Sequence, residues 1–190
     1  MAWGWVDVPL RTIRLNGKKV TAAYGSVPAD GATPEASEQL LYWLREQHDQ
    51  RGPKFGCGVA QCGACTVLID GVPVRSCTRQ MHTVPELADV RTLDGLASGK
   101  PHSLQDAFVE RQAGQCAFCI NGMVMGSLGW LESRIAAGDR SVPSDAEVRD
   151  FLAGVTAATR GAEPENYLCR CGAHNRIVAA VRQAAEEMVK

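Results

Sequence analysis

The chain has almost no net charge. Twenty Lys plus Arg face twenty-one Asp plus Glu, which leaves −1 over 190 residues. Such a balance gives no electrostatic footprint for nucleic acid or for an anionic membrane surface. A long hydrophobic run is also missing. The longest apolar stretch, Ile120 to Leu131, is broken by Asn121, Ser127 and three glycines, and falls short of the ~18 continuous apolar residues needed to cross a bilayer. The first ten residues, MAWGWVDVPL, hold no Lys or Arg and no apolar core, so no export signal is expected. The reading is a cytoplasmic protein, or a periplasmic one exported together with a signal-bearing partner. No Ser-His-Asp set, paired carboxylates or glycine-rich phosphate loop can be singled out. What remains is ordinary for a folded protein of one domain or two small ones: 45% apolar and 22% charged residues.

Against these absences stand eight cysteines. Disulfide frameworks belong to short secreted chains with signals, so thiols in a chain of this kind are read as metal ligands. They fall into two sets of four: Cys57, Cys62, Cys65 and Cys77, then Cys116, Cys119, Cys169 and Cys171. Turn formers lie between the sets, around Thr83-Val84-Pro85-Glu86 and Leu93-Asp94-Gly95, which places a domain boundary near residue 90, with domains over 1–90 and 91–190.

The first half reads as strands with a helix. Leu10–Leu15 and Lys19–Tyr24 flank Asn16-Gly17, a hairpin signal, and Thr66–Asp70 and Val72–Ser76 bracket Gly71 as a second hairpin. A helix is expected from Thr33-Pro34, with Leu40, Leu41 and Leu44 at helical spacing. The second half reads as four helices. One opens at Ser103 as N-cap, one at the capping box Ser144-Asp145-Ala146-Glu147, one covers Met123–Ile135 and stops near Gly138, and the last covers Asn175–Val189. The segment Thr156–Asn166 reads as a surface loop.

Cys57-x4-Cys62-x2-Cys65 followed by Cys77 matches the plant-type [2Fe–2S] ferredoxin spacing. Three thiolates on one loop must converge on two irons, and Gly56, Gly58 and Gly63 suit a backbone that wraps closely around sulfur. A structural zinc site presents two separated pairs instead. The second set, Cys116-x2-Cys119 and Cys169-x-Cys171, suits zinc as well as iron–sulfur by spacing alone. Each of its pairs precedes an expected helix, whose exposed N–H groups favour an anionic group. The neighbouring ferredoxin motif tips this set to iron–sulfur.

Taken together, Cys57-Gly-Val-Ala-Gln-Cys-Gly-Ala-Cys-Thr-Val-Leu, Gly114-Gln-Cys-Ala-Phe-Cys and Leu168-Cys-Arg-Cys-Gly resemble the small iron–sulfur subunit of molybdenum hydroxylases, the xanthine dehydrogenase and aldehyde oxidoreductase family. The resemblance runs from Arg11 to Val189. It implies an α+β chain: an N-terminal β-grasp plant-type ferredoxin domain, then a C-terminal all-α four-helix bundle, each with one [2Fe–2S] cluster. It further implies a large partner subunit holding molybdopterin, with Gln115 hydrogen-bonded to the pterin and Cys171 approaching its amino group. The ferredoxin cluster would then face an electron acceptor, a cytochrome c or an FAD-binding subunit. Gly172-Ala-His-Asn-Arg-Ile resembles the branch with isoquinoline oxidoreductase and cytochrome-linked aldehyde dehydrogenases, which favours the cytochrome.

The chain departs from the family pattern at Ala117, Ile120 and Asn121, where Gly, Thr and Pro are usual. Asn121 is expected to serve as an N-cap in place of that proline. Two insertions are expected, Pro28–Ser37 and the segment around Thr156–Asn166. His174 is read as a helix-start or interface residue, not a fifth ligand, and His48, His82 and His102 as surface residues. Trp43, Trp130, Met123, Met125 and Met188 are read as packing. Trp3 and Trp5 could dock on a partner or form a tail, and Arg170 could meet a cofactor phosphate or offset cluster charge. The alternatives are a stand-alone ferredoxin-like carrier and a zinc-stabilised interaction module.

Overall fold

The computed structural model describes residues 10–23, 38–97, 99–159 and 165–190. Its first element is the expected hairpin. Strands β1 (Leu10–Leu15) and β2 (Lys18–Ala23) pair antiparallel. Asn16 and Gly17 between them take φ of 50° and 79°, the two left-handed residues that a tight turn matched to strand twist requires. The second hairpin, β3 (Thr66–Ile69) and β4 (Val72–Arg75), turns in the same way on Asp70 and Gly71. Strand β5 (Asp89–Arg91) lies between the hairpins, parallel to β1 and antiparallel to β3, so the sheet order is β2-β1-β5-β3-β4.

Strand β3 is buried on both faces. Val67 and Ile69 join Ile13, Leu15, Trp43, Leu44, Met81 and Val90 in one core, while Leu68, between them, enters a second core built mainly from helices. Alternation of side chains along a strand makes this division automatic. The first face is covered by a short helix, α1 (Leu40–Tyr42), running into a π-helical turn over Trp43–Gln47. The helix start expected at Thr33-Pro34 lies outside the described residues, as do Pro28–Ser37 and Trp3 and Trp5. Leu40, Leu41 and Leu44 are fully buried, as their spacing requires.

Four longer helices follow: α2 (Ser103–Glu110), α3 (Ile120–Ala136), α4 (Asp145–Leu152) and α5 (His174–Met188). The capping box opens α4 as expected. Ser144 Oγ accepts from the Glu147 N–H at 3.3 Å, and Glu147 Oε2 accepts from the Ser144 N–H at 2.8 Å. At α2 the cap is one residue earlier than expected. His102 Nδ1 accepts from the Leu104 N–H at 3.2 Å and Gln105 Oε1 accepts from the His102 N–H at 2.9 Å. A neutral imidazole has an acceptor nitrogen and Gln105 completes the reciprocal pair, so His102 is a capping residue and not a bystander on the surface. Helix α3 starts three residues before the expected Met123, with Cys119 at its N-cap position and no side-chain cap. Asn121 therefore does not cap; it lies buried inside the first turn.

Every residue from Asn121 to Leu131 is buried, so the apolar run too short for a bilayer is the central helix of the fold. Its glycines admit neighbours closely. A Cβ at Gly129 would stand 2.7 Å from Pro73 Cγ of β4, and one at Gly126 would collide with the Tyr167 ring. Trp130 stacks flat on Phe151 at 4.7 Å between ring centres. Met123 and Met125 fill the same core with Met188 at its edge. The result is a mixed α+β molecule with one sheet and helices packed against it.

Candidate metal centres

The loop that carries Cys57, Cys62 and Cys65 connects the π-helical turn to β3, and Cys77 follows β4. Gly58 and Gly63 have φ of 70° and 80°, left-handed positions that let the loop curl back on its own sulfur atoms. Cys57 Sγ accepts N–H bonds from Gln61 at 3.2 Å and Cys62 at 3.3 Å. Burial alone would raise the Cys57 thiol, but the amides of Val59, Cys62 and Gln61 outweigh it and bring the pKa down to about 7. The Cys62 thiol bonds to it as well. Cys65 and Cys77 form the other pair, both buried and packed against Leu41. Burial, with Cys77 alongside, pushes Cys65 up to about 12. The loop leaves room for sulfur: a Cβ at Gly56 would stand 2.7 Å from Cys62 Sγ.

The second set assembles where two helices begin. Cys116 and Cys119 end the α2–α3 loop, and Cys169 and Cys171 precede α5. Again the thiols pair, Cys116 with Cys171 and Cys119 with Cys169. Cys116, fully exposed, is lowered by the Phe118 amide and the Cys171 thiol. Cys169 is raised by burial but lowered further by the amides of Ala173, Cys171 and Gly172 at the start of α5 and by the Cys119 thiol. Cys119 is pushed up to about 12 by burial and by Cys169 beside it.

All eight thiols are free, and among the described residues no group of three or more His, Cys, Asp or Glu is gathered for one metal ion. The sulfurs make side-chain contacts as Cys57–Cys62, Cys65–Cys77, Cys116–Cys171 and Cys119–Cys169, and in the second set Cys116 also lies near both Cys119 and Cys169. A tetrahedral zinc site needs four ligands on one ion, whereas a two-iron cluster takes two thiolates on each iron. The donor chemistry and the pairing therefore fit [2Fe–2S] clusters. Thiolate-stabilising amides at Cys57 and Cys169 suit an anionic group.

Gln115 and Phe118 are exposed on the α2–α3 loop, and Cys171 is half-buried. Beside that loop opens a cleft of about 610 Å³, lined by Phe108, Val109, Ile120 and Val124 with Gln112 and Arg176 at its polar edge. Arg170 is exposed, and His174 is the first residue of α5. Sequence reasoning missed Arg75. Its guanidinium is buried, bonds to Thr66 Oγ1 and, at 2.5 Å, to the Asn166 carbonyl, pairs with Glu165 at 3.4 Å and stacks over the Tyr167 ring at 4.4 Å. Burial pushes the Tyr167 hydroxyl up to about 12. Glu165 and Asn166, expected in a surface loop, are thus half-buried anchors, while 160–164 lie outside the described residues. The Leu168 N–H donates to the Cys62 carbonyl at 3.0 Å, joining the second set to the first.

Comparison with known proteins agrees with this chemistry. Residues 92–182 match a family model described as a [2Fe-2S] binding domain. The chain is 40% identical to a nicotinate dehydrogenase subunit of Pseudomonas putida, over 92% of this chain and 94% of the relative. It is 35% identical to a subunit of isoquinoline 1-oxidoreductase from Brevundimonas diminuta, over 91% and 95%. Among solved structures, quinoline 2-oxidoreductase from Pseudomonas putida 86 superimposes with a TM-score of 0.73 at 32% identity, covering 95% of this chain and 96% of that one. Aldehyde oxidoreductase from Desulfovibrio gigas superimposes with a TM-score of 0.74 at 30% identity, and there this chain spans 17% of the longer one. With that identity over nearly its full length, the chain belongs to the family of iron–sulfur subunits of molybdenum-hydroxylase-type oxidoreductases.

Proposed function

We propose that the chain is the electron-transfer subunit of a heteromeric molybdenum hydroxylase. It takes electrons from molybdopterin on a large partner subunit, then delivers them to a cytochrome or flavin acceptor. The observation that carries this reading is the gathering of the thiols, with Cys57 beside Cys62, Cys65 beside Cys77, and Cys116 and Cys119 beside Cys171 and Cys169. Each foursome would hold one [2Fe–2S] cluster, which supplies reversible one-electron chemistry when bound. The chain's part is to present thiolates at these positions, hold them with backbone N–H groups, and bury Cys65 and Cys77 away from bulk water.

The sheet of residues 10–91 and the four helices after residue 103 support division into a β-grasp ferredoxin domain over 1–90 and a four-helix bundle over 91–190. Exposed Gln115 and Phe118 and the adjoining apolar cleft support the α2–α3 loop as the side turned to the molybdopterin subunit, with Gln115 and Cys171 reaching the pterin. The relatives' names include aldehyde and N-heterocycle oxidoreductases, so the assembly is proposed to oxidise a substrate of one of these classes on its large subunit. None of the helices among the described residues is long and apolar enough to cross a membrane.

The test is isolation of the native assembly. Expected are a much larger partner chain, acid-labile sulfide equal to iron, and two distinguishable [2Fe–2S] EPR signals after reduction. A colourless zinc protein without sulfide would overturn the reading, and a brown chain running alone would replace it with a free carrier.

A further inference from the structure

One polar side chain in the middle of the molecule is not accounted for by packing. Asn121 is fully buried in the first turn of α3, where a buried amide needs partners. Its Nδ2 donates to the Ala64 carbonyl at 2.9 Å and to the Thr66 carbonyl at 2.9 Å. Carbonyls only accept, so these two bonds fix which end of the amide faces β3. Oδ1 faces the other way, toward Gly52, and has no hydrogen-bond partner among the described residues. An apolar side chain would leave no such orphan. The donor end of Asn121 therefore has a purpose beyond filling space.

The surroundings reveal that purpose. Ala64 and Thr66 flank Cys65, and Asn121 follows Cys119 by two residues. One side chain thus spans from the loop of the first cysteine set to the helix start of the second. The next residue reinforces the contact, because a Cβ at Gly122 would collide with the Gly63 carbonyl. The other arm of the second set rests on the same loop through the bond from Leu168 to Cys62.

We propose that Asn121 is a positioning residue for both cysteine sets: its amide fastens the Cys65 segment to the start of α3 and so fixes the separation and mutual orientation of the groups the two sets hold. This rests on the two-cluster reading above. The test uses the assembly as isolated, with Asn121→Leu, which keeps the side chain's size and removes its donors. Two reduced clusters at fixed separation split and broaden each other's EPR signals by magnetic interaction, which falls steeply with distance. Expected for Asn121→Leu is the full iron complement with both signals present, the wild-type splitting lost into a broad distribution. Wild-type splitting in the variant would overturn the proposal. If Asn121→Leu is isolated without iron, Asn121→Ser, smaller and still a donor, decides by the same spectrum. Absence of iron from both variants would make Asn121 a folding residue and also overturn the proposal. A wild-type assembly without iron would instead sink the two-cluster reading, a result no variant comparison can imitate.

Discussion

At the scale of single residues, sulfur placement depends on what is absent beside it. Gly56 has no backbone strain to explain it; it is there because a methyl group would stand 2.7 Å from Cys62 Sγ. In Gly56→Ala the sulfur must move, and the iron that Cys57, Cys62, Cys65 and Cys77 are proposed to hold is expected to be lost preferentially. Iron analysis with EPR would show one signal fading while the other persists; equal retention of both would count against a sulfur cradle. The bend of this loop at Gly58 and Gly63 is legible in the sequence because closely spaced cysteines and glycines form a local pattern, written in consecutive residues. Arg75, Tyr167 and Asn121 are not legible in this way. Arg75 finds Asn166, and Asn121 finds Ala64, only after distant segments meet, and nothing within a few positions of either residue announces a partner.

At the scale of elements, local chemistry predicts starts better than it predicts which residue does the capping. Ser144 and Glu147 close their box as read, whereas α2 is capped by His102 and α3 has no side-chain cap at all. In the first case two residues compete for one role within a single turn. In the second, tertiary bonds to the Ala64 and Thr66 carbonyls claim the asparagine that would otherwise have capped. The His102 cap carries a pH dependence. Burial lowers its pKa below the ordinary imidazole value, and Nδ1 must be unprotonated to accept from Leu104. The folded state thus binds this proton less readily than the unfolded one, so the contribution is complete above the unfolded pKa of about 6.5 and is lost as pH falls below it. Protection of the Leu104 amide against hydrogen exchange, corrected for intrinsic rate, is expected to drop between pH 7 and pH 5. In His102→Asn, which keeps an acceptor that does not titrate in that range, the drop should vanish. His102→Ala is expected to cost about 1 kcal/mol at neutral pH.

For the molecule as a whole, the sheet and the helices are not two bodies on a string. Leu68 leaves its own strand neighbours to join the helical core, and α3 presses glycine faces on β4 and on the cysteine loop. Unfolding of the two halves should therefore coincide. Trp43 reports the sheet core and Trp130 the helical core; variants retaining one of the two as sole tryptophan are expected to share a midpoint in denaturant. Leu68→Ala should lower both midpoints together, by about 3 kcal/mol for a large-to-small change in a packed core. Separate midpoints would mean independent domains. The turn-rich stretch near residue 90 suggests a boundary in the sequence, but the contacts between sheet and helices depend on side chains far from that stretch.

The hydrogen bond from Leu168 to the Cys62 carbonyl also orders events in time. A ribosome finishes the Cys57–Cys77 segment long before it reaches residue 168. The nascent first half emerges with one of its loop carbonyls still unpaired and with β3 bare on the side that α3 will cover. Emergence of residue 168, not of the first half, is then the earliest moment at which that loop reaches its final shape. Whatever that loop comes to hold is therefore gripped in its final form only after the segment around residue 168 has been made and has folded back onto it.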